Sequence, residues 1–419
     1  MVCTKKTLLV CGAVLSVLAA CASVERAAPS VSIDVAPVVS APWDGRVSDF
    51  YSWNQPVAKT PGEVLRHEAL PENELLRGSV SGQRILYSST SGVDGEKPVV
   101  VSGAVYFPEG EPPEVGWPVV AWGHGTVGIA DICAPSWAGR PWRDLAYLER
   151  WLDEGFVIVA TDYEGLGTPG IHPYMFSRSA AYSILDSVRA VLQSDSRVKN
   201  EVVLVGQSQG GGAVLSAGGY AASYSPDLNI RAVVATGAGL LGAASPGALG
   251  AAGADIDPTT AYALYIALTL SAVDGISPDR MLSPKAMSVY SQANGRCIDG
   301  LEYDAAMARL NWANTLGPEA LPLLASYADR MNAPLESYAI PVFMGTGTAD
   351  VDVPAPMQDA LAAKLCEAGA VVLHQTYEGL DHSEVVNVSI SDSLPFVRQL
   401  MSGEGLAGSC PRIVPEAVQ

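Results

Sequence analysis

Positive charge is scarce in this chain. Twenty-five Lys and Arg stand against 44 Asp and Glu, leaving a formal net charge of −19. A nucleic-acid binder needs a basic face, so that class of partner is disfavoured from the outset. Charge of either sign is sparse at 16%, while 48% of residues are hydrophobic, which excludes wholesale disorder. The 41 glycines follow no fixed period, which excludes a collagen-like repeat. No two cysteines stand at C-x-x-C spacing and no His lies beside them, so a structural zinc site is not expected. Beyond the N-terminus no run approaches the roughly 20 apolar residues needed to cross a bilayer. At 419 residues the chain is long enough for one large domain with an insertion, or for two domains.

The first residues read as an export signal. Lys5 and Lys6 form a positive n-region, and Leu8 to Leu18 form an apolar h-region of secretory length. Leu18-Ala19-Ala20-Cys21 resembles the bacterial lipobox, in which the Cys becomes the lipidated first residue of the mature protein; an ordinary cleavage site is the alternative. Ala22 beside it favours the outer membrane in a Gram-negative host. Loss of Lys5 and Lys6 takes the net charge from −19 to −21. Membrane contact is then expected through a lipid anchor alone. Of seven cysteines, Cys3 and Cys11 leave with the signal and Cys21 is lipidated. Cys133, Cys297, Cys366 and Cys410 remain. An even number in an oxidising compartment predicts two disulfides, with three possible pairings.

Along the chain, short β-rich runs alternate with amphipathic stretches. Residues 21–75, rich in Pro, Ser, Ala and Val, read as a tether and N-terminal extension. Arg84–Tyr87 and Val99–Phe107 predict a strand pair turning near Asp94-Gly95. Pro118–Trp122, Phe156–Ala160, Glu201–Val205, Ile230–Thr236, Ile340–Met344 and Val371–Tyr377 predict further strands, with helices over Asp144–Leu152 and Ser179–Leu192. Continuous apolar strands separated by helices indicate an α/β fold, a mostly parallel sheet covered on both faces. The rhythm breaks at 241–335, where helical segments such as Ala261–Ser271 and Tyr303–Trp312 are punctuated by prolines. This stretch predicts a helical lid or cap inserted between a first core part, 76–240, and a second, 336–419.

Chemistry is expected where strands end. Gly206-Gln207-Ser208-Gln209-Gly210 follows a strand and opens a helix, the G-x-S-x-G arrangement of a nucleophile elbow. The flanking glycines leave room for a sharp turn that projects Ser208 from the sheet. A serine nucleophile needs a base and an orienting carboxylate, in the chain order Ser, acid, His. Only His374 and His382 lie downstream of Ser208. His374 falls inside a predicted strand, whereas His382 sits in the loop after it and is the expected base. Asp350 and Asp352 compete for the acid; Asp350, four residues before Pro354, has the better claim. The oxyanion requires two backbone donors. Gln209 and Thr126 are expected to supply them, with His124 bracing the loop that carries Thr126. Asp162 and Glu164, after the strand Phe156–Ala160, either brace active-site loops or contact substrate. The same constellation serves peptidases and acyltransferases, and a binding protein with a dead site is a further alternative.

Trp122-Gly123-His124-Gly125-Thr126, Asp131-Ile132-Cys133-Ala134-Pro135-Ser136, Thr161-Asp162-Tyr163-Glu164-Gly165-Leu166-Gly167-Thr168-Pro169-Gly170 and Gly206-Gln207-Ser208-Gln209-Gly210-Gly211 together resemble the secretory lipase family, the fungal lipase A type with its bacterial relatives. The resemblance covers roughly residues 75 to 410. It implies an α/β-hydrolase core with a lid after the nucleophile, and carboxylic-ester hydrolysis through Ser208, Asp350 and His382 without metal or organic cofactor. The substrates implied are acylglycerols or related lipid esters. It also implies the disulfides Cys133–Cys297 and Cys366–Cys410. Gln207 departs from the family, where Tyr is frequent; it flanks the nucleophile and leaves the mechanism intact.

Overall fold

Nine strands form one sheet among the described residues, in the order β1-β2-β3-β5-β4-β6-β7-β8-β9. A computed structural model describes residues 46–241, 253–406 and 408–410. The signal segment and Cys21 therefore lie outside the described residues. β1 (Val64–Ala69), β2 (Ser79–Thr90) and β3 (Pro98–Pro108) pair antiparallel at one edge. From β5 (Val157–Thr161) through β4 (Trp117–Gly123), β6 (Val198–Gln207), β7 (Ile230–Thr236), β8 (Val342–Gly347) and β9 (Val372–Tyr377) every pairing is parallel. The predicted mostly parallel sheet is present.

The apolar runs become central strands because both of their faces are covered. Successive side chains of a strand point to opposite sides. Val119 and Ala121 of β4 accordingly join one core layer, and Val120 and Trp122 the other. Val202 and Leu204 of β6 divide from Val203 and Val205 in the same way. Helices Ser177–Ser194, Gln209–Tyr224 and Ala355–Glu367 cover the first face. Helices Trp142–Asp153 and Ile390–Met401 cover the second. Each fully buried Leu, Val or Ile in these layers contributes roughly 1.5–3 kcal/mol through removal of apolar surface from water.

Two details differ from the sequence expectation. β1 lies within the stretch read as tether and extension, and Phe50 and Tyr51 are buried beneath it. Pro/Ser/Val richness masked a short edge strand and an aromatic anchor. The helix expected over Tyr303–Trp312 instead runs Ile298–Met307 and stops where Arg309 takes a left-handed φ of 54°. Asn311 then caps a separate short helix, Trp312–Thr315, by accepting the Asn314 N–H. Asn favours caps over helix interiors because its side chain competes for backbone N–H groups.

Between β7 and β8 the described residues are helical and build a core of their own. Leu264, Ile266 and Leu270 of helix Ala261–Asp274 pack with Leu301, Leu310 and Leu323. Ile129, Tyr174 and Phe176, from loops at the carboxyl ends of β4 and β5, belong to the same cluster. The insertion is thus seated on the loops where an open parallel sheet offers its binding crevice. β4 leads outward to β5 on one side and lies beside β6 on the other, so the strand order reverses there.

Candidate active site

Ser208 stands at that reversal point. β6 ends at Gln207 and helix Gln209–Tyr224 begins immediately, so one residue makes the whole turn. Ser208 adopts φ 58°, ψ −122° to do so, a conformation that L residues avoid. Its N–H donates to the Thr236 carbonyl at 2.9 Å, which fastens the strained turn to the end of β7. The flanking glycines are steric requirements. A Cβ on Gly206 would meet the Gly210 oxygen at 2.2 Å, and one on Gly210 would meet the Gly123 oxygen at 1.9 Å. Gln209 opens the helix, so its N–H is one of the first-turn donors without an intrahelical acceptor, at the positive end of the helix dipole.

His382 and Asp350 come together from the loops after β9 and β8. His382 Nδ1 lies 2.7 Å from Asp350 Oδ2. That carboxylate is fixed on every side: Oδ2 also accepts Gln358 Nε2–H at 2.9 Å, and Oδ1 accepts the Val353 N–H at 2.8 Å. A carboxylate accepts from an N–H, so the proton belongs on Nδ1 and Nε2 keeps its lone pair. Nε2 is buried and has no partner among the described residues. The ring lies against Gly237, the residue after the one whose carbonyl holds the Ser208 N–H. Asp352 takes a different role, for its Oδ1 accepts the Tyr262 hydroxyl at 2.7 Å. His374 is in β9 with Nε2 3.0 Å from Thr346 Oγ1, and burial lowers its pKa. Of the two carboxylates and two histidines weighed from sequence, only Asp350 and His382 are bonded to each other.

Asp350, Asp352 and His382 each bring one potential ligand atom within 4.8 Å of the others. Hydrogen bonds already engage Asp350 Oδ2 with the imidazole and Asp352 Oδ1 with Tyr262. A cation here would have to displace both.

On the other side of Ser208, Thr126 follows β4 and shares the cavity wall with Ser208 and Gln209. Its Oγ1 lies 2.7 Å from Tyr174 Oη. His124 is buried between carbonyls, with Nδ1 2.7 Å from the Gly125 oxygen and Nε2 3.3 Å from that of Asp162. Burial pushes its pKa down to about 4. Asp162 is wholly buried, accepting the Ser136 N–H at 2.9 Å, the Ser102 hydroxyl at 2.7 Å and the Ser136 hydroxyl. Glu164 accepts the Gly92 N–H at 2.9 Å and the Ser179 hydroxyl at 2.5 Å. Neither carboxylate lines the cavity, and both tie loops together.

The cavity above Ser208 has a volume of about 140 Å³ and mostly apolar walls: Leu215 and Leu361 from the core helices, Ile266, Trp312 and Met331 from the insertion. Such a space takes an aliphatic group whose reacting end meets the serine. Cys133–Cys297 joins the loop after β4 to the insertion, and Ile298 N–H donates to the Val127 carbonyl at 2.9 Å beside it. Cys366–Cys410 joins helix Ala355–Glu367 to the C-terminal stretch. Both pairings are the ones the family resemblance implies. Sequence reasoning missed Gln358, Tyr262, His172 and Tyr174. Gln358 and Tyr262 stand in ordinary helical spacing, and no motif marks them.

The secretory lipase family model matches residues 142–291. Lipase A from Candida antarctica in its closed state shares the fold, with a TM-score of 0.71 at 19% identity over 88% of this chain and 88% of that one. The rice cell wall degrading esterase LipA from Xanthomonas oryzae aligns with a TM-score of 0.65 at 18% identity, over 82% of this chain and all of its own. No curated protein matches the sequence. The fold is that of the α/β-hydrolases, and residues 142–291 are similar to the secretory lipase family, which supports a carboxylic ester hydrolase.

Proposed function

We propose that this chain is an exported serine hydrolase that cleaves acylglycerols or related lipid esters through Ser208, His382 and Asp350. One observation carries the reading. A buried imidazole with Nδ1 bonded to a fully fixed carboxylate presents an Nε2 that has no partner among the described residues, beside the nucleophile elbow. His382 Nε2 takes the Ser208 proton as Oγ bonds to the acyl carbon, and the carbonyl electrons move onto its oxygen. The N–H groups of Thr126 and Gln209 receive that oxyanion. Collapse expels the alcohol, which leaves with the proton from Nε2. Water then attacks the acyl-enzyme, giving its proton to Nε2, and Ser208 recovers that proton as the carboxylic acid departs. Asp350 accepts the Nδ1–H of His382 and stabilises the imidazolium.

The apolar cavity favours an aliphatic acyl chain, and residues 241–335 act as its cap. Cys21 anchors the mature chain to the outer membrane by its lipid, which palmitate labelling of the intact protein and of Cys21→Ser would test. The reaction is tested with p-nitrophenyl esters from acetate to palmitate, with Ser208→Ala alongside. Loss of turnover at every chain length in Ser208→Ala is expected. Retention of most activity would overturn the assignment of the nucleophile. A rate that rises above the substrate's solubility limit would mark interfacial opening of the cap.

A further inference from the structure

Two oxyanion donors work only if they converge on one atom, and here they come from different loops. Thr126 follows β4 and Gln209 follows β6; the sheet pairing ends at Gly123 and Gln207, and beyond it the two loops pack at glycines, Gly210 against the Gly123 and His124 carbonyls and Gly125 against Gln207 and Ser208. A single short segment touches both. His172 Nε2 lies 3.1 Å from Gln209 Nε2, and Tyr174 Oη lies 2.7 Å from Thr126 Oγ1. Pro173 stands between them, and the Tyr174 N–H donates to the His172 carbonyl at 2.8 Å, so the segment is a tight, pre-set turn.

The polarity of these contacts is determined. His172 Nδ1 is 2.9 Å from the Glu164 carbonyl, which can only accept, so Nδ1 carries the hydrogen. Nε2 is then the acceptor for the Gln209 carboxamide. The imidazole is 2% exposed and burial lowers its pKa to about 4, which keeps this tautomer neutral through ordinary conditions. Its ring stacks on Tyr163 at 5.9 Å and 11° and meets the Tyr174 edge at 6.2 Å. Glu164, which positions His172, is itself held through its side chain by Gly92 and Ser179.

We propose that His172 and Tyr174 form a brace that orients the oxyanion donors, acting as positioning residues for ester hydrolysis. The proposal rests on the Ser208 reading above. The brace touches the Gln209 and Thr126 side chains, so it adds to the glycine contacts in orienting the two donor residues while leaving both N–H groups for the substrate. Its contribution is felt when the carbonyl oxygen becomes tetrahedral and charged, and little when the ester merely binds.

The test uses the full chain with His172→Phe, which keeps the ring and loses both hydrogen bonds, and Tyr174→Phe, which loses only the hydroxyl. Gln209→Met removes the carboxamide and keeps the backbone donor. With p-nitrophenyl butyrate each variant is expected to lose about tenfold in kcat while KM stays within about twofold, the signature of a displaced transition-state contact. Affinity for an alkyl boronic acid, which forms a tetrahedral adduct on the serine, should fall in parallel. The double variant His172→Phe/Gln209→Met should be no worse than either single one. Full kcat in these variants, or an equal loss in substrate and boronate binding with KM raised, would overturn the brace. Should His172→Phe fail to fold, Gln209→Met and Tyr174→Phe carry the same comparison. Ser208→Ala separates the two readings: residual activity there sinks the triad, whereas a dead Ser208→Ala beside a fully active Tyr174→Phe and Gln209→Met sinks only the brace.

Discussion

The His382 ring closes directly over Gly237: a Cβ on that glycine would stand 2.6 Å from Cε1 and 2.9 Å from Nδ1. Gly237 also has φ 60°, a left-handed conformation that costs an L side chain about 1–2 kcal/mol. Gly237→Ala therefore carries two penalties, of which only one is paid in stability. The imidazole must move, and a shift of about 1 Å in a catalytic group costs on the order of 100-fold in rate. The expected outcome is a kcat loss of about that size with a melting shift of only a few degrees. A variant with normal kcat would show that His382 is not the base.

Asp350 and Asp352 are two residues apart, and the structure gives them different partners. Asp350→Asn should leave the fold intact while placing a carboxamide against Nδ1, which disturbs the tautomer the base needs. A kcat loss of about 10³–10⁴-fold is expected. Asp352→Asn removes a bond to Tyr262 and leaves His382 untouched, so kcat should fall by less than about tenfold. Turnover numbers for the pair decide between them, and the reverse ranking would exchange their roles.

The parallel sheet was legible because its strands are buried on both faces and read as unbroken apolar runs, as at Val202–Val205. The elbow was legible for a related reason: Gly206 and Gly210 are fixed by collisions that any residue with a Cβ would suffer. Asp350 and His382 could be ranked by their place after strands, since chain order limits which loops reach Ser208. What escaped were contacts made by side chains on elements far apart in sequence. His172 and Gln209 are 37 residues apart, and Tyr262 and Asp352 are 90 apart. Neither pair follows from periodicity, because their meeting depends on the loops and the insertion rather than on the sheet. The edge strand Val64–Ala69 was hidden for yet another reason: a partly exposed edge needs little apolar patterning.

Acid should unfold this protein early. His124 and His172 are buried and neutral, with pKa values lowered from 6.5 to about 4. A depressed folded pKa gives stability that is present above 6.5 and lost as pH falls toward 4, because the unfolded chain binds the proton first. Each group is responsible for about 3 kcal/mol across that window. Melting temperatures measured from pH 7 to pH 4 should drop progressively, and His172→Phe should show a shallower slope. An unchanged slope in that variant would place the acid sensitivity elsewhere.

Reduction of Cys133–Cys297 should loosen the insertion from the loop that carries Thr126. The bridge spans 164 residues, and removing a native disulfide costs about 2–5 kcal/mol. Cys297→Ser is expected to lower the melting temperature and to raise KM for long-chain esters more than for acetate, since the insertion walls the cavity. Cys366→Ser, whose bridge does not involve the insertion, should lower stability with a smaller chain-length effect. No chain-length dependence of KM in Cys297→Ser would contradict a cap role for the insertion.

Glu302, in helix Ile298–Met307, introduces a pH dependence of the opposite sign. Burial, followed by the charges of Asp352, Asp299 and Asp257, pushes its pKa from 4.5 up to about 7. A carboxyl group with a raised folded pKa gives stability that is complete below 4.5 and lost as pH rises through about 7. Above that point the native state holds an unfavourable anion facing Asp352 and Tyr262. Because Glu302 is only partly buried, solvent screening reduces the effect to roughly 1 kcal/mol. Glu302→Gln should thus match the parent chain near pH 4.5 and exceed it in stability above pH 7. Denaturant midpoints at pH 5 and pH 8 measure the difference directly, and a variant that is less stable at pH 8 would show that the ionised carboxylate has a favourable partner.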